Sequence, residues 1–252
     1  MSAITADLRG QTALVTGASS GLGARFAEVL AGAGAHVILA ARRQAQLDGL
    51  AARITTAGGS ASTLSLDVAD PASVAAAEPA MRDIDILVNN AGVVREGPAI
   101  DQTVEDWDYV ININLRGCFL MAQAAARAFR GHGRGGRIIN IASIVGIRQA
   151  NMLLPYAVSK AGVVQMTKTL ALEWARYGIA VNAIAPGYVE TEMNAGFSES
   201  PAGQAMMKRV PQRRMGQPSD LDAPLLMLAS GAAGWMTGSV VVVDGGHSTS
   251  SL

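Results

Sequence analysis

The chain has 252 residues, of which half are apolar and 16% charged, with 20 basic residues balancing 20 acidic ones. That length and apolar fraction supply a sizeable core, and the balanced charge excludes the basic field that draws a protein to nucleic acid or an anionic membrane. Aromatic residues make up only 4% while glycine numbers 28, which suits helices packed closely on a sheet and points to small molecules, or other copies of the chain, as partners.

Residues Met1 to Leu8 contain no apolar run of the kind a secretory signal needs. The lone cysteine, Cys118, cannot form an internal disulfide and reads as buried filler, which fits a reducing, cytoplasmic location. The first predicted strand, Thr12–Val15, runs into Thr16-Gly17-Ala18-Ser19-Ser20-Gly21-Leu22-Gly23 and then a helix over Leu22–Ala33. A glycine-rich turn between a strand and a helix is a phosphate-binding device. Gly17 turns the chain and Gly21 admits a pyrophosphate to the backbone. Gly23 lets helix and strand pack, and the helix N-terminus offers free N–H groups. Ser19, Ser20 and Leu22 complete this candidate dinucleotide site.

The second strand, His36–Ala40, is followed by Ala41-Arg42-Arg43. Sites for NAD place an acid here for the ribose 2′-hydroxyl; two guanidinium groups instead favour a 2′-phosphate, so NADP(H) is favoured over NAD(H). A helix over Gln44–Ala57, a strand over Thr63–Leu66, a helix over Ala72–Met81 and a strand over Ile84–Val88 come next. One long helix is predicted over Val104–Phe129. A Gly/Arg turn at 131–136 leads to a strand over Arg137–Ile141, a helix over Tyr156–Tyr177 and a strand over Ala180–Ile184. Segment 189–217, rich in Met, Gly, Pro and Ser, breaks the alternation and reads as a lid or surface loop. A last helix, Ser219–Ala229, and a strand, Ser239–Val243, close the pattern. The uncharged stretch Ala223–Val243 is long enough to span a bilayer, but Pro224, Gly231, Gly234 and Gly238 divide it. The chain is therefore expected to be soluble. Apolar strands alternating with helices predict one domain over residues 1–252: an α/β, Rossmann-type, doubly wound parallel sheet of seven strands with helices on both faces.

Tyr156 and Lys160 stand four apart on a predicted helix and so share a face. An ammonium beside a phenol favours the phenolate, which would lower the tyrosine pKa and allow reversible proton transfer. Ser143 follows the fifth strand, whose carboxyl end faces the ligand crevice, and its hydroxyl could hydrogen-bond a substrate oxygen. No metal site is predicted.

With these residues in place, the sequence resembles the short-chain dehydrogenase/reductase family, in its short single-domain branch, from Gln11 to Gly246. The motifs run in order: the Thr16–Gly23 turn, Asp67-Val68, Asn89-Asn90-Ala91-Gly92, Asn114, Ser143, Tyr156-Ala157-Val158-Ser159-Lys160, Pro186-Gly187 and Asp244-Gly245-Gly246. The resemblance implies that Asp67 and Val68 touch the adenine and that Asn90, Ala91 and Gly92 border the cofactor. By the same resemblance Pro186, Gly187, Val189 and Thr191 lie on the nicotinamide side, with Tyr156 and Lys160 also reaching the cofactor. It gives Asn114, Ser143, Tyr156 and Lys160 as the catalytic set, with Asn114 holding a water that links Lys160 to solvent. It also implies a homotetramer.

The function expected is an NADP(H)-dependent carbonyl reductase or alcohol dehydrogenase. Leu153, Leu154, Met193, Phe197, Met206 and Met207 suggest an apolar pocket and hence a hydrophobic ketone or alcohol. A 3-oxoacyl-(acyl-carrier-protein) reductase is an alternative, with Arg116, Arg127, Arg130, Arg134 and Arg137 as candidates for docking an acidic carrier. A dinucleotide sensor without catalysis, and a sugar-nucleotide epimerase or dehydratase, are more distant readings. About sixty residues after Thr191 are few for the substrate domain an epimerase needs.

Overall fold

A computed structural model describes residues 6–192 and 196–249; Met193, placed in the apolar pocket by sequence, lies outside them. Seven strands form one parallel sheet: β1 (Thr12–Thr16), β2 (His36–Ala41), β3 (Ser60–Ser65), β4 (Ile86–Asn89), β5 (Gly136–Ile141), β6 (Ile179–Pro186) and β7 (Val240–Val243). Their order is β3-β2-β1-β4-β5-β6-β7, so the chain winds outward from β1 in one direction, then from β4 in the other. The eight helices among the described residues are α1 (Gly21–Gly32), α2 (Gln44–Thr56), α3 (Pro71–Ala77), α4 (Val104–Ile111), α5 (Cys118–His132), α6 (Leu154–Trp174), α7 (Pro201–Met207) and α8 (Asp222–Ala229).

The strands feed two cores because alternate side chains leave opposite faces of the sheet. Ala13, Val15, Val37 and Leu39 join Phe26 and Leu30 of α1, Leu47 and Leu50 of α2 and Leu225 of α8 on one face. Leu14, Ile38, Leu87 and Ile138 join Val74 of α3, Met121 and Phe129 of α5 and Leu170 of α6 on the other. A sheet covered on both faces needs strands apolar throughout, and β1 and β4 read that way.

Two expectations about elements need correction. The long helix predicted from Val104 is interrupted: residues Asn112–Gly117 form a π-helical turn between α4 and α5. There the Asn114 side chain binds both backbone groups of Val93, accepting from its N–H at 2.8 Å and donating to its carbonyl at 2.9 Å. Gly117 closes the same turn against Val68, where a Cβ would stand 2.8 Å from the carbonyl oxygen. The segment after β6, expected as a lid or loop, carries a helix of its own among its described residues. Val189 pairs with Gly216, and α7 begins with Pro201 and is capped by the Ser200 hydroxyl, which accepts from Gly203 N–H. Smaller shifts fall at strand ends, such as β3 beginning three residues before the expected Thr63.

Candidate active site

The strand order reverses between β1 and β4, and a crevice opens at their carboxyl ends. A cleft of about 630 Å³ follows that crevice. At one end β1 delivers Gly17 with φ of +67°, and a Cβ there would stand 2.9 Å from Ala91 Cα. The turn is held from β4: Asn90 donates its side-chain amide to the carbonyl of Thr16 at 3.0 Å, and its own N–H to the Thr16 hydroxyl at 3.0 Å. Ser20 precedes α1 in extended conformation, no side chain caps the helix, and its first turn holds no acid. The α1 terminus therefore meets the cleft with uncapped N–H groups and the positive end of its dipole, as a bound phosphate requires. Gly23 is one turn further on and does not line the cleft. A Cβ there would lie 2.3 Å from the Gly17 carbonyl oxygen, so its part is to let α1 approach β1.

Beyond the turn, Ala41 ends β2 with little exposed surface, and the two arginines follow. Arg43 donates to the Ser19 and Ser20 hydroxyls at 2.9 and 2.7 Å. Arg42 stands 3.8 Å from the Asp67 carboxylate. Asp67 and Val68 line the same wall. The glycine turn, the α1 terminus and this guanidinium pair fit an elongated dinucleotide with a phosphate at its adenosine end.

At the opposite end stand Ser143, Tyr156 and Lys160. Ser143 follows the fifth strand, which stops at Ile141, and the serine caps a 3₁₀ turn over Ile144–Gly146. Gly146 presses that turn on α6, since a Cβ there would lie 2.6 Å from the Lys160 carbonyl carbon. Tyr156 and Lys160 share the first turns of α6. The Ser143 side chain stands close enough to the Tyr156 phenol to favour its ionised form. Lys160 donates to the Ile141 carbonyl at 2.7 Å, with its ammonium 5.6 Å from the centre of the Tyr156 ring.

The electrostatics depart from the sequence expectation in one respect. Burial pushes the Tyr156 phenol above its ordinary value, with the Ser143 side chain drawing it part of the way back. Burial also lowers Lys160 to about 8. The phenol is thus protonated at neutral pH, rather than lowered by its lysine neighbour. Desolvation outweighs attraction because both groups sit in a poorly hydrated wall. Cys118 is buried, its thiol pushed up to about 12 by desolvation, as inert filler should be.

The cleft brings together Gly17, Ser19, Ser20, Gly21, Leu22, Arg42, Arg43, Asp67, Val68, Asn90, Ala91, Gly92, Ser143, Tyr156, Lys160, Pro186, Gly187, Val189 and Thr191. Among the predicted site residues, Gly23 and Asn114 stand outside its wall. Asn114 is buried, holds Val93 of the wall, and donates to the Ser159 hydroxyl at 3.1 Å. The apolar pocket needs correction. Leu153 lines the cleft, whereas Leu154, Met206 and Met207 do not. Phe197 stays one layer back, stacked on Tyr188 with ring centres 5.8 Å apart. Sequence reasoning missed Tyr188, Val94 and Glu96, which all line the reactive end. The signal lay in their nearness to motifs: Tyr188 follows Pro186-Gly187, and Val94 and Glu96 follow Gly92 closely.

Known proteins resemble this chain over nearly its whole length. A family model described as enoyl-(acyl carrier protein) reductase matches residues 17–248. The chain belongs to the short-chain dehydrogenase/reductase family. It is 40% identical over 244 residues to the D-threitol dehydrogenase of Mycolicibacterium smegmatis, covering 95% of this chain and 94% of the relative. It is 38% identical over 243 residues to the 3-oxoacyl-(acyl-carrier-protein) reductase of Thermotoga maritima, covering 95% and 98%. A crystal structure of a gluconate 5-dehydrogenase from Burkholderia cenocepacia, in complex with NADP and tartrate, superposes with a TM-score of 0.93 at 38% identity, covering 98% of each chain. As a short-chain dehydrogenase/reductase, the chain is an oxidoreductase acting on hydroxyl and keto groups. No helix among the described residues is long and apolar enough to cross a membrane.

Proposed function

We propose that the chain is an NADP(H)-dependent oxidoreductase interconverting a secondary alcohol and a ketone, with Tyr156 as general acid and base. The observation that carries this reading is the meeting of Ser143, Tyr156 and Lys160 at one end of a cleft whose other end is the Gly17–Gly21 turn and the Arg42–Arg43 pair. The nicotinamide cofactor, bound along that cleft, supplies or accepts the hydride. In the direction of reduction, Tyr156 gives its proton to the substrate oxygen while the Ser143 hydroxyl hydrogen-bonds the same oxygen. In oxidation Tyr156 takes that proton back. The raised pKa of Tyr156 keeps it loaded for reduction, and the Lys160 ammonium stabilises the phenolate left behind. Asn114 acts behind the wall by fixing Val93 and, through Ser159, the α6 turn that carries Tyr156.

Ala41 in place of an acid, and two guanidinium groups beside it, support NADP(H) over NAD(H). The gluconate 5-dehydrogenase noted above holds NADP. In this reading the described residues of segment 189–217 cover the substrate end, since Phe197 backs Tyr188 and Gly216 pairs with Val189. A homotetramer would pair through α5, α6 and β7, where Phe119, Leu172 and Val242 are exposed, as Trp235 is just before β7. The carrier-protein alternative draws less support. Arg127 is paired with Glu78 and Arg134 with Asp85, and none of the five candidate arginines lines the cleft.

Tyr156→Phe tests the chemistry. NADPH affinity within about twofold of wild type, with kcat reduced at least about a hundredfold, is expected from loss of the proton donor. Turnover equal to wild type would overturn the mechanism.

A further inference from the structure

The reactive end of the cleft carries a charge that the proton-transfer chemistry does not use. Glu96 lines it, on the segment after β4 that also presents Val94. The Glu96 carboxylate is close enough to Tyr188 to oppose its ionisation, and Tyr188 stands in the same relation to Tyr156. Glu96 is solvent-exposed on the cleft side and has no ion-pair partner among the described residues. Cations on this segment and on others are turned elsewhere. Arg95 pairs with Asp106 at 3.1 Å and lies over the Tyr109 ring, 4.5 Å from its centre. Arg148 donates to the carbonyls of His247 and Ser248 at 3.1 and 3.0 Å. Arg209, whose charge reaches His247, does not line the cleft. Lys160 is spent on Ile141 and the proposed proton transfer.

We propose that Glu96 is the specificity-determining residue of this site, accepting a hydrogen bond from a second hydroxyl of an uncharged polyol or its ketose and excluding substrates that carry a carboxylate. The inference rests on the oxidoreductase reading above. A sugar acid brought to Tyr156 would set its carboxylate beside that of Glu96, while the guanidinium groups that line the cleft, Arg42 and Arg43, stand at its other end with the glycine turn. Two carboxylates set side by side repel even where solvent reaches them, whereas a carboxylate accepting from a neutral hydroxyl gains a charge-assisted hydrogen bond. Tyr188, which lines the same cleft just beyond β6, offers a second polar group. Val94 and Leu153, apolar residues of the same wall, suit the carbon chain.

The test measures kcat and KM with NADP+ for four- to six-carbon polyols and for the aldonic acids of matching length, using wild type, Glu96→Gln and Tyr156→Phe. Wild type is expected to favour its best polyol over every aldonate by at least about tenfold in kcat/KM. Glu96→Gln is expected to raise KM for that polyol about tenfold with kcat little changed, and to narrow the gap to the aldonates. An aldonate preferred by wild type, turnover of an apolar alcohol but of neither series, or an unchanged polyol KM in Glu96→Gln would each overturn the assignment. Tyr156→Phe separates this from the chemistry: if it is inactive while Glu96→Gln matches wild type, only the role of Glu96 falls. If Tyr156→Phe turns over normally, the catalytic reading falls.

Discussion

At the scale of single residues, the same side-chain type takes different work from its surroundings. Arg42 and Arg43 are adjacent in sequence, yet Arg43 reaches back to Ser19 and Ser20 of the glycine turn while Arg42 faces Asp67. Arg43 is therefore set where the turn meets the adenosine end of the cleft. A guanidinium there strengthens binding of a 2′-phosphate through charge-assisted hydrogen bonds and does little for a 2′-hydroxyl. Arg43→Ala is expected to lower kcat/KM for NADPH by about 10- to 100-fold and to leave that for NADH within about twofold. Steady-state kinetics with both cofactors checks this, and an equal loss with each would mean that Arg43 merely braces the turn. The two arginines were legible in the sequence as a pair. Their division of labour was not, because it depends on β1 and β2 lying side by side.

At the scale of elements, α1 shows how one substitution changes sign along a helix. Gly23 sits where α1 crosses the Gly17 turn, and a Cβ would meet the Gly17 carbonyl oxygen at 2.3 Å and the Asn90 amide nitrogen at 2.5 Å. Neither is the free end of a flexible side chain, since that amide nitrogen holds the Thr16 carbonyl. Gly23→Ala should thus cost about 1–3 kcal/mol and weaken NADPH binding by shifting the turn. Gly32, at the other end of α1, faces open space, with nothing within 4 Å of where a Cβ would stand, so Gly32→Ala should stabilise by about 0.5–1 kcal/mol. Denaturant midpoints for the two variants should move in opposite directions; a shift of the same sign in both would contradict the packing argument. The π-helical turn at Asn112–Gly117 teaches a related lesson. Apolar periodicity carried straight through from Val104 to Phe129, so the sequence read as one helix. The interruption answers to Val93 and Val68, which belong to other strands' exits.

At the scale of the whole molecule, the buried pair at the reactive end sets a pH dependence of folding. Lys160 titrates near 8 in the fold against an ordinary 10.5. Between those values the unfolded chain binds more protons than the native one, so stability rises with pH through that window. Tyr156 is shifted upward and acts in the opposite sense only above pH 10, where the unfolded phenol ionises first. From pH 7.5 to 9.5 the lysine contribution amounts to a gain of about 1–2 kcal/mol. Lys160→Met should remove it, flattening that limb of a plot of unfolding free energy against pH. A wild-type curve with no more slope than the variant's would show that the ammonium is better solvated than its burial indicates.

What the sequence determined by itself was local or periodic. Apolar runs alternating with helical segments fix a covered parallel sheet, and the glycine turn and the Tyr156–Lys160 spacing depend on neighbours a few residues away. Ala41 and the two arginines carry their message in the same way, because charge at the end of a strand needs no tertiary context to be read. Only the tertiary structure decided what lines the reactive end. Val94, Glu96, Leu153 and Tyr188 come from three separate segments, after β4, before α6 and after β6, and converge there because β4, β5 and β6 lie side by side and parallel, with their carboxyl ends on one edge of the sheet. It also decided the state of the proton donor. Burial depends on the whole fold, and here desolvation overrides the neighbouring ammonium that the four-residue spacing had made the obvious influence.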